Sequence, residues 1–287
     1  MPSIVHTILR ALLLSAVISM PALGALAQDT VPVLRPVTSS YTLEYGKAHI
    51  ADTYLTPLHY RGPHYAFTYE RDQAMRFNPQ RWTMQLKLAM VFDHTKNPAK
   101  NATMANADLR ASWDMMHRWR LPSGFTLGLG GGTSLTAGVL YLSRNGNNPA
   151  SAKVGWTVDA TGYAAWSGRI MRLPLTVRYQ PTLPLTGVFF SPDYGQLYYQ
   201  IALGEHDGLL HAAWPGNYFA LDNLLTVDLH LGATSLRIGY HNNTFSSKVN
   251  NIVSLDITHA VVIGITTEWI SLSPTSDKIN AAIISSY

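Results

Sequence analysis

The chain contains no cysteine. Disulfides, thiol chemistry, cysteine metal ligands and a lipidated amino-terminal cysteine are therefore excluded. Charge is scarce as well: Asp, Glu, Lys and Arg make up 13% of the 287 residues, about half of the roughly 25% usual in soluble domains. The formal charge of +4 is mild, and Lys and Arg never form a run, so no nucleic-acid partner is expected. Beyond the first residues no apolar stretch reaches the about 18 residues of a membrane-crossing helix. No long repeat or low-complexity tract occurs. There is no H-E-x-x-H, and Gly128-Leu129-Gly130-Gly131-Gly132 lacks the Lys-Ser/Thr of a phosphate loop. No metal or cofactor is therefore expected.

The amino terminus reads as a separate piece. Arg10 supplies a positive charge, Ala11 to Ile18 is a short apolar run, and Ala25-Leu26-Ala27 has a small-x-small pattern. These features predict a cleaved secretory signal peptide over 1–27. Residues 28–40, with Pro32 and Pro36, read as a periplasmic lead-in.

What the chain does have is alternation. Trp82, Met84, Leu86, Leu88, Met90 and Phe92 are interleaved with Thr83, Gln85, Lys87, Ala89, Val91 and Asp93. Ala107, Leu109, Ala111, Trp113, Met115 and Trp119 alternate with Asp108, Arg110, Ser112, Asp114 and Arg118, and Phe125, Leu127 and Leu129 resume the pattern. A period of two sustained this long means long strands. One face is apolar and the other carries charge, which suits lipid outside and a polar lumen inside. An exported chain without helical spans crosses a membrane only as a closed barrel.

The fold expected is thus an all-β transmembrane antiparallel up-and-down barrel over 41–272, in the cell outer membrane. Its expected partners are outer-membrane lipid and the outer-membrane assembly machinery. Short turns are expected at 76–80, 121–124, 167–169 and 232–235, and long connections at 54–63, 96–106, 143–151, 204–221 and 242–257. Alternation of short and long holds if Leu185–Phe190 and Leu197–Leu203 are separate strands, giving 12. Ten result if a segment containing Pro174, Pro181 or Pro184 leaves the wall, because proline cannot donate to a ladder. Residues 273–287 read as a tail beyond a closing strand at Val261 to Leu272, with Ile279 to Tyr287 as the alternative closing strand. Trp82, Trp119, Tyr141, Trp156, Trp166 and Trp269 at strand ends fit interfacial aromatic girdles.

Four stretches look like signature blocks: 52–58 (DTYLTPL), 144–150 (RNGNNPA), 174–180 (PLTVRYQ) and 190–199 (FSPDYGQLYY). Together they resemble a domain-of-unknown-function family of secreted outer-membrane proteins from Gram-negative bacteria, over about Tyr41 to Trp269. The resemblance implies location and fold, and carries no activity or catalytic residues.

Candidate site residues are those on the polar face: Lys87, Asp108, Arg110, Asp114, Arg118, Asp159, Arg172, Arg178, Asp228, His230 and Arg237, with Asp93 and His241 beside them. Cross-lumen pairing that fills a narrow barrel is the plain expectation, because buried charge must be compensated. A structural or small-solute transport role follows from it, and the apparent surplus of Arg favours an anionic ligand. Two alternatives stand beside this. One is a lipid-modifying barrel enzyme built on Ser143, Ser191, His94, His206 and His211 with Asp93, Asp193 and Asp207 nearby. The other is a soluble secreted β-sandwich that binds a ligand.

Overall fold

Alternating sequences place one face of each strand inward and the other outward, and the computed structural model shows this pattern closing on itself. It describes residues 33–232 and 234–269 and the backbone of 282–283. The predicted signal peptide and most of the 273–287 tail lie outside the described residues. The barrel strands are β2 (Val37–Asp52), β3 (Thr56–Ala74), β4 (Trp82–Lys96), β5 (Thr103–Arg120) and β6 (Phe125–Leu142). They continue with β7 (Ala150–Ile170), β8 (Leu173–Phe190), β10 (Tyr218–Leu231), β11 (Thr234–Val249) and β12 (Ile252–Trp269). Each pairs antiparallel with its sequence neighbour in the wall, and β12 pairs with β2 to close the ring. A two-residue parallel pair, β1 (Val33–Leu34) with β13 (Ala282–Ile283), stands outside the barrel.

The wall therefore has ten strands, and the expectation of 12 is corrected at two places. Leu185–Phe190 is not a separate strand but the end of the 18-residue β8. The prolines fit because each sits where the ladder is already interrupted. Pro174 lies at the start of β8, before its pairing with β10 begins at Leu175. Pro181 falls in the gap between the Ala164–Tyr179 and Thr161–Thr182 pairs. Pro184 lies beyond the last β10 partner of β8, beside a bulge whose extra residue is Leu185. The second segment, Leu197–Leu203, is not a strand: Tyr198–Ala202 is a short helix, α1. It belongs to a long connection, 191–217, in which β9 (Leu210–Ala213) pairs with the far end of β8 and covers an edge that β10 does not reach.

Turn lengths also differ from expectation. Connections at 53–55 and 250–251 are tight, and both flanking hairpins extend far beyond the predicted strands. Gly62-Pro63, expected within the long connection 54–63, lies inside β3 opposite Ala48 and Lys47. The glycine is required by close approach, since a Cβ there would run into the His94 carbonyl of β4.

The end bearing Val37 and Trp269 carries turns of at most seven residues, and the far end carries the tight turns at 53–55 and 250–251 together with the 191–217 connection. Outside, the surface is apolar: Leu43, Leu109 and Leu129 are each at least 60% exposed. The single closed sheet overturns the β-sandwich alternative.

Candidate functional site: a charged chamber inside the barrel

At the end bearing Val37 and Trp269, buried side chains pack the interior. Met116, Tyr163 and Ala165 form a buried apolar cluster. Arg118 from β5 is buried, and its guanidinium donates to the Pro79 and Gln80 carbonyls at 2.9 and 3.3 Å. Thr176 and Ser235 flank His230, with ring nitrogens 2.8 and 2.7 Å from their hydroxyls.

One layer higher, ion pairs cross the lumen. Arg237 of β11 donates to both carboxylate oxygens of Asp228 at 2.7 and 2.9 Å and to Glu70 of β3 at 3.3 Å. Arg178 of β8 reaches Asp72 at 3.0 Å and lies 4.6 Å over the Tyr163 ring. Gln85 and Gln180 bridge the remaining gap, Gln180 donating to Gln85 at 2.6 Å. The fork of a guanidinium matches a carboxylate bidentately, so this layer is directional as well as charged. It is a floor.

Above the floor lies a cavity of about 240 Å³. Arg110 and Lys153 enter it from β5 and β7. Lys153 Nζ sits 3.0 Å from both Asp108 and Asp256, and Arg110 donates to Asp108 at 3.1 Å. A second chain of groups runs around the opposite wall. Asp93 lies 2.6 Å from His64 Nδ1, and Glu44 lies 3.9 Å from His64 Nε2. Glu44 also meets His241 Nδ1 at 2.6 Å, while Asp222 meets His241 Nε2 at 2.8 Å. Carboxylates only accept hydrogen bonds when ionised, so a ring held between two of them serves as a donor on both sides. That makes His241 a cross-link, since neither ring nitrogen is left to act as a base.

Towards the far end the interior turns apolar again, with Ile50, Tyr60, Met104, Leu140 and Leu142 packed together. The 191–217 connection folds over the other side of the mouth. Tyr54 donates to the Gln196 carbonyl at 2.6 Å, and the Tyr198 hydroxyl accepts from the Ala152 amide. Partial burial pushes the Tyr198 phenol up to about 12.

Of the residues expected on the polar face, Lys87, Asp108, Arg110, Asp114, Arg118, Asp159, Arg178, Asp228, His230 and Arg237 point inward. Arg172 does not: it sits exposed in the turn between β7 and β8 with φ of 83°. The expected rim constellation does not assemble. Ser143 and Ser191 donate their hydroxyls to the Thr103 and Pro192 carbonyls, at 3.1 and 3.4 Å. His211 faces the Ser191 backbone carbonyl at 3.1 Å, and His94 and His206 are exposed.

Sequence reading passed over Glu44, His64, Glu70, Asp72, Lys153, Asp222 and Asp256. The signal was there, since Glu44 lies between Leu43 and Tyr45 and Asp256 between Leu255 and Ile257. These residues reverse the expected charge balance. The inward cations are Lys87, Arg110, Arg118, Lys153, Arg178 and Arg237. Against them stand Glu44, Asp52, Glu70, Asp72, Asp93, Asp108, Asp114, Asp159, Asp222, Asp228 and Asp256. Even with His241 counted as a cation, the carboxylates outnumber the cations, which does not favour an anionic ligand. Among the described residues no three His, Asp or Glu groups converge to hold a metal ion.

No curated protein matches the sequence. Among solved structures, the outer-membrane protease OmpT from Escherichia coli aligns with a TM-score of 0.43 at 6% identity, over 85% of this chain and 99% of that one. The translocator domain of the autotransporter NalP from Neisseria meningitidis aligns at 0.35 and 11% identity, over 92% and 96%. Neisserial surface protein A aligns at 0.30 and 12% identity, over 80% and 99%. The first of these is an outer-membrane protein by its description. A family model matches residues 7–276, almost the whole sequence, and the chain belongs to that family, described as a protein of unknown function (DUF3316).

Proposed function

We propose that this protein is an integral outer-membrane β-barrel that holds a small polar solute in a closed lumenal chamber, in place of an open diffusion pore. The observation that carries this reading is the floor–chamber pair. Arg178 and Arg237, with Asp72, Glu70 and Asp228, fill the lumen below, and an unfilled charged cavity lies above.

Membrane insertion is supported by the wall. Its strands run from 14 residues in β10 to 21 in β7, against the about 9–11 residues needed to cross a bilayer. A closed ladder leaves no backbone edge to desolvate. With the end bearing Val37 and Trp269 periplasmic, as barrels of this type have their chain termini, the floor lies on the periplasmic side and the 191–217 connection faces out. A lipid-modifying enzyme built on rim Ser and His residues has no support, since those side chains do not meet.

Reconstitution into planar bilayers tests the reading. The wild-type barrel is expected to show no steady open-pore conductance at low voltage. The Arg178→Ala/Arg237→Ala variant should conduct. A large steady conductance from the wild type would overturn the closed chamber, and release from membranes by carbonate without detergent would overturn the membrane placement.

A further inference from the structure

The carboxylates around the chamber are unequally provided for. Glu44 and Asp222 share His241, and Asp256 is held by Lys153. Asp159 on β7 is different. It is 2% exposed and its Oδ2 accepts from the Ser134 hydroxyl; its Oδ1 has no hydrogen-bond partner among the described residues, as holds for Asp108 and Asp256, but unlike those two it forms no ion pair with Lys153 or Arg110. Asp114 on β5 repeats the arrangement: its Oδ2 accepts from Ser112 at 3.4 Å and its buried Oδ1 has no partner.

The two are related by the sheet. Gly132 of β6 stands opposite Asp114 on one side and Asp159 on the other. No side chain separates the two carboxylates there, and a Cβ on Gly132 would run into the Asp114 carboxylate. The result is a recess in the chamber wall beside Asp159, with the Asp114 carboxylate packed over Gly132 behind it. Asp159, Ser134 and Ser112 line the chamber itself.

A buried carboxylate served by one hydroxyl is poorly compensated, so the recess lacks donors and positive charge. Lys87 acts on Asp114 from a distance, but its ammonium lies 3.9 Å from Glu70, over the floor.

We propose that the recess binds a small organic cation, an ammonium or guanidinium on a short aliphatic stem, with its N–H groups donating to Asp159 while the Asp114 charge behind it adds to the attraction. This deepens the holding role proposed above and rests on it. Nitrogen donors suit the site better than a metal ion, because no group of three ligating side chains converges among the described residues. The cavity of about 240 Å³ falls below the roughly 300–1,000 Å³ of drug-sized sites, which limits the stem to a few carbons.

Calorimetric titration of the full barrel in detergent tests the proposal, with 1,4-diaminobutane and ethylguanidine as probes and succinate as the anionic control. Saturable binding of at least one cation, none of succinate, and a loss of tenfold or more in Asp159→Asn are expected. Heat-modifiable gel mobility verifies that the variant folds. Should Asp159→Asn fail that check, Asp114→Asn replaces it with the same tenfold expectation. Failure of both cations to bind, succinate binding as well as the cations, or undiminished affinity in the folded variant overturns the proposal. A wild type that is silent in bilayers yet binds neither probe overturns this inference alone. An open wild-type pore overturns the reading beneath it.

Discussion

The floor and the recess are built from the same carboxylates, yet they are compensated in opposite ways. In the floor, Asp228 receives two N–H bonds from one guanidinium, and Glu70 and Asp72 each face an arginine. In the recess, Asp159 and Asp114 each have one serine hydroxyl and one unpartnered oxygen. Burial is not what separates them, because Asp228, Asp114 and Asp159 are all no more than 2% exposed. The difference is whether a cation reaches the carboxylate: Arg237 stands beside Asp228, whereas Asp114 and Asp159 both stand beside Gly132 and form no ion pair among the described residues.

The largest effect is expected in the floor. Arg237→Ala leaves Asp228 and Glu70 without their shared cation, and breaking such a buried pair costs about 3–5 kcal/mol. Urea titration of the heat-modifiable form measures it, and a loss below about 1 kcal/mol would show that the floor is not held by charge. The outer wall gives the next contrast. Asp108 and Arg110 face inward, while Leu109 between them is 60% exposed on the other face. Leu109→Arg should destabilise the inserted barrel by about 2–4 kcal/mol, and an effect within error would argue against lipid on that face.

A smaller change is expected in the recess. Ser134→Ala removes the one hydrogen bond that Asp159 accepts, a loss of about 1–3 kcal/mol, read by the same titration. The smallest effect lies at the mouth, where the Tyr198 phenol is pushed by burial from 10.0 up to about 12. A raised folded value means that burial of the neutral phenol contributes fully below pH 10 and that this contribution is lost as pH rises towards 12. Limited proteolysis of the 191–217 connection should therefore increase over that window. In Tyr198→Phe, cleavage should already be high at neutral pH and show no step.

Much of the wall was legible because a strand in a two-sided environment writes its orientation into every second residue. Trp82, Met90 and Trp113 face out and Lys87, Asp114 and Arg118 face in, as alternation implies. Strand number was less legible. A proline inside a run signals interruption, and nothing local in Pro174, Pro181 and Pro184 tells that each coincides with a gap that the neighbouring strands already leave. Tyr198–Ala202 is too short for its periodicity to separate helix from strand.

The sequence by itself determined that the chain makes long two-faced strands and which face of each is polar, because period-two alternation is a property of neighbouring residues. Only the tertiary structure decided which charges meet. Arg237 and Glu70 are 167 residues apart, Glu44 and His241 are 197 apart, and Arg178 and Asp72 are 106 apart. Ring closure between β12 and β2 and the relative stagger of ten strands bring these groups to one level. Stagger depends on the whole wall at once, so no local stretch of sequence states that Arg237 meets Asp228 while Asp159 meets no cation.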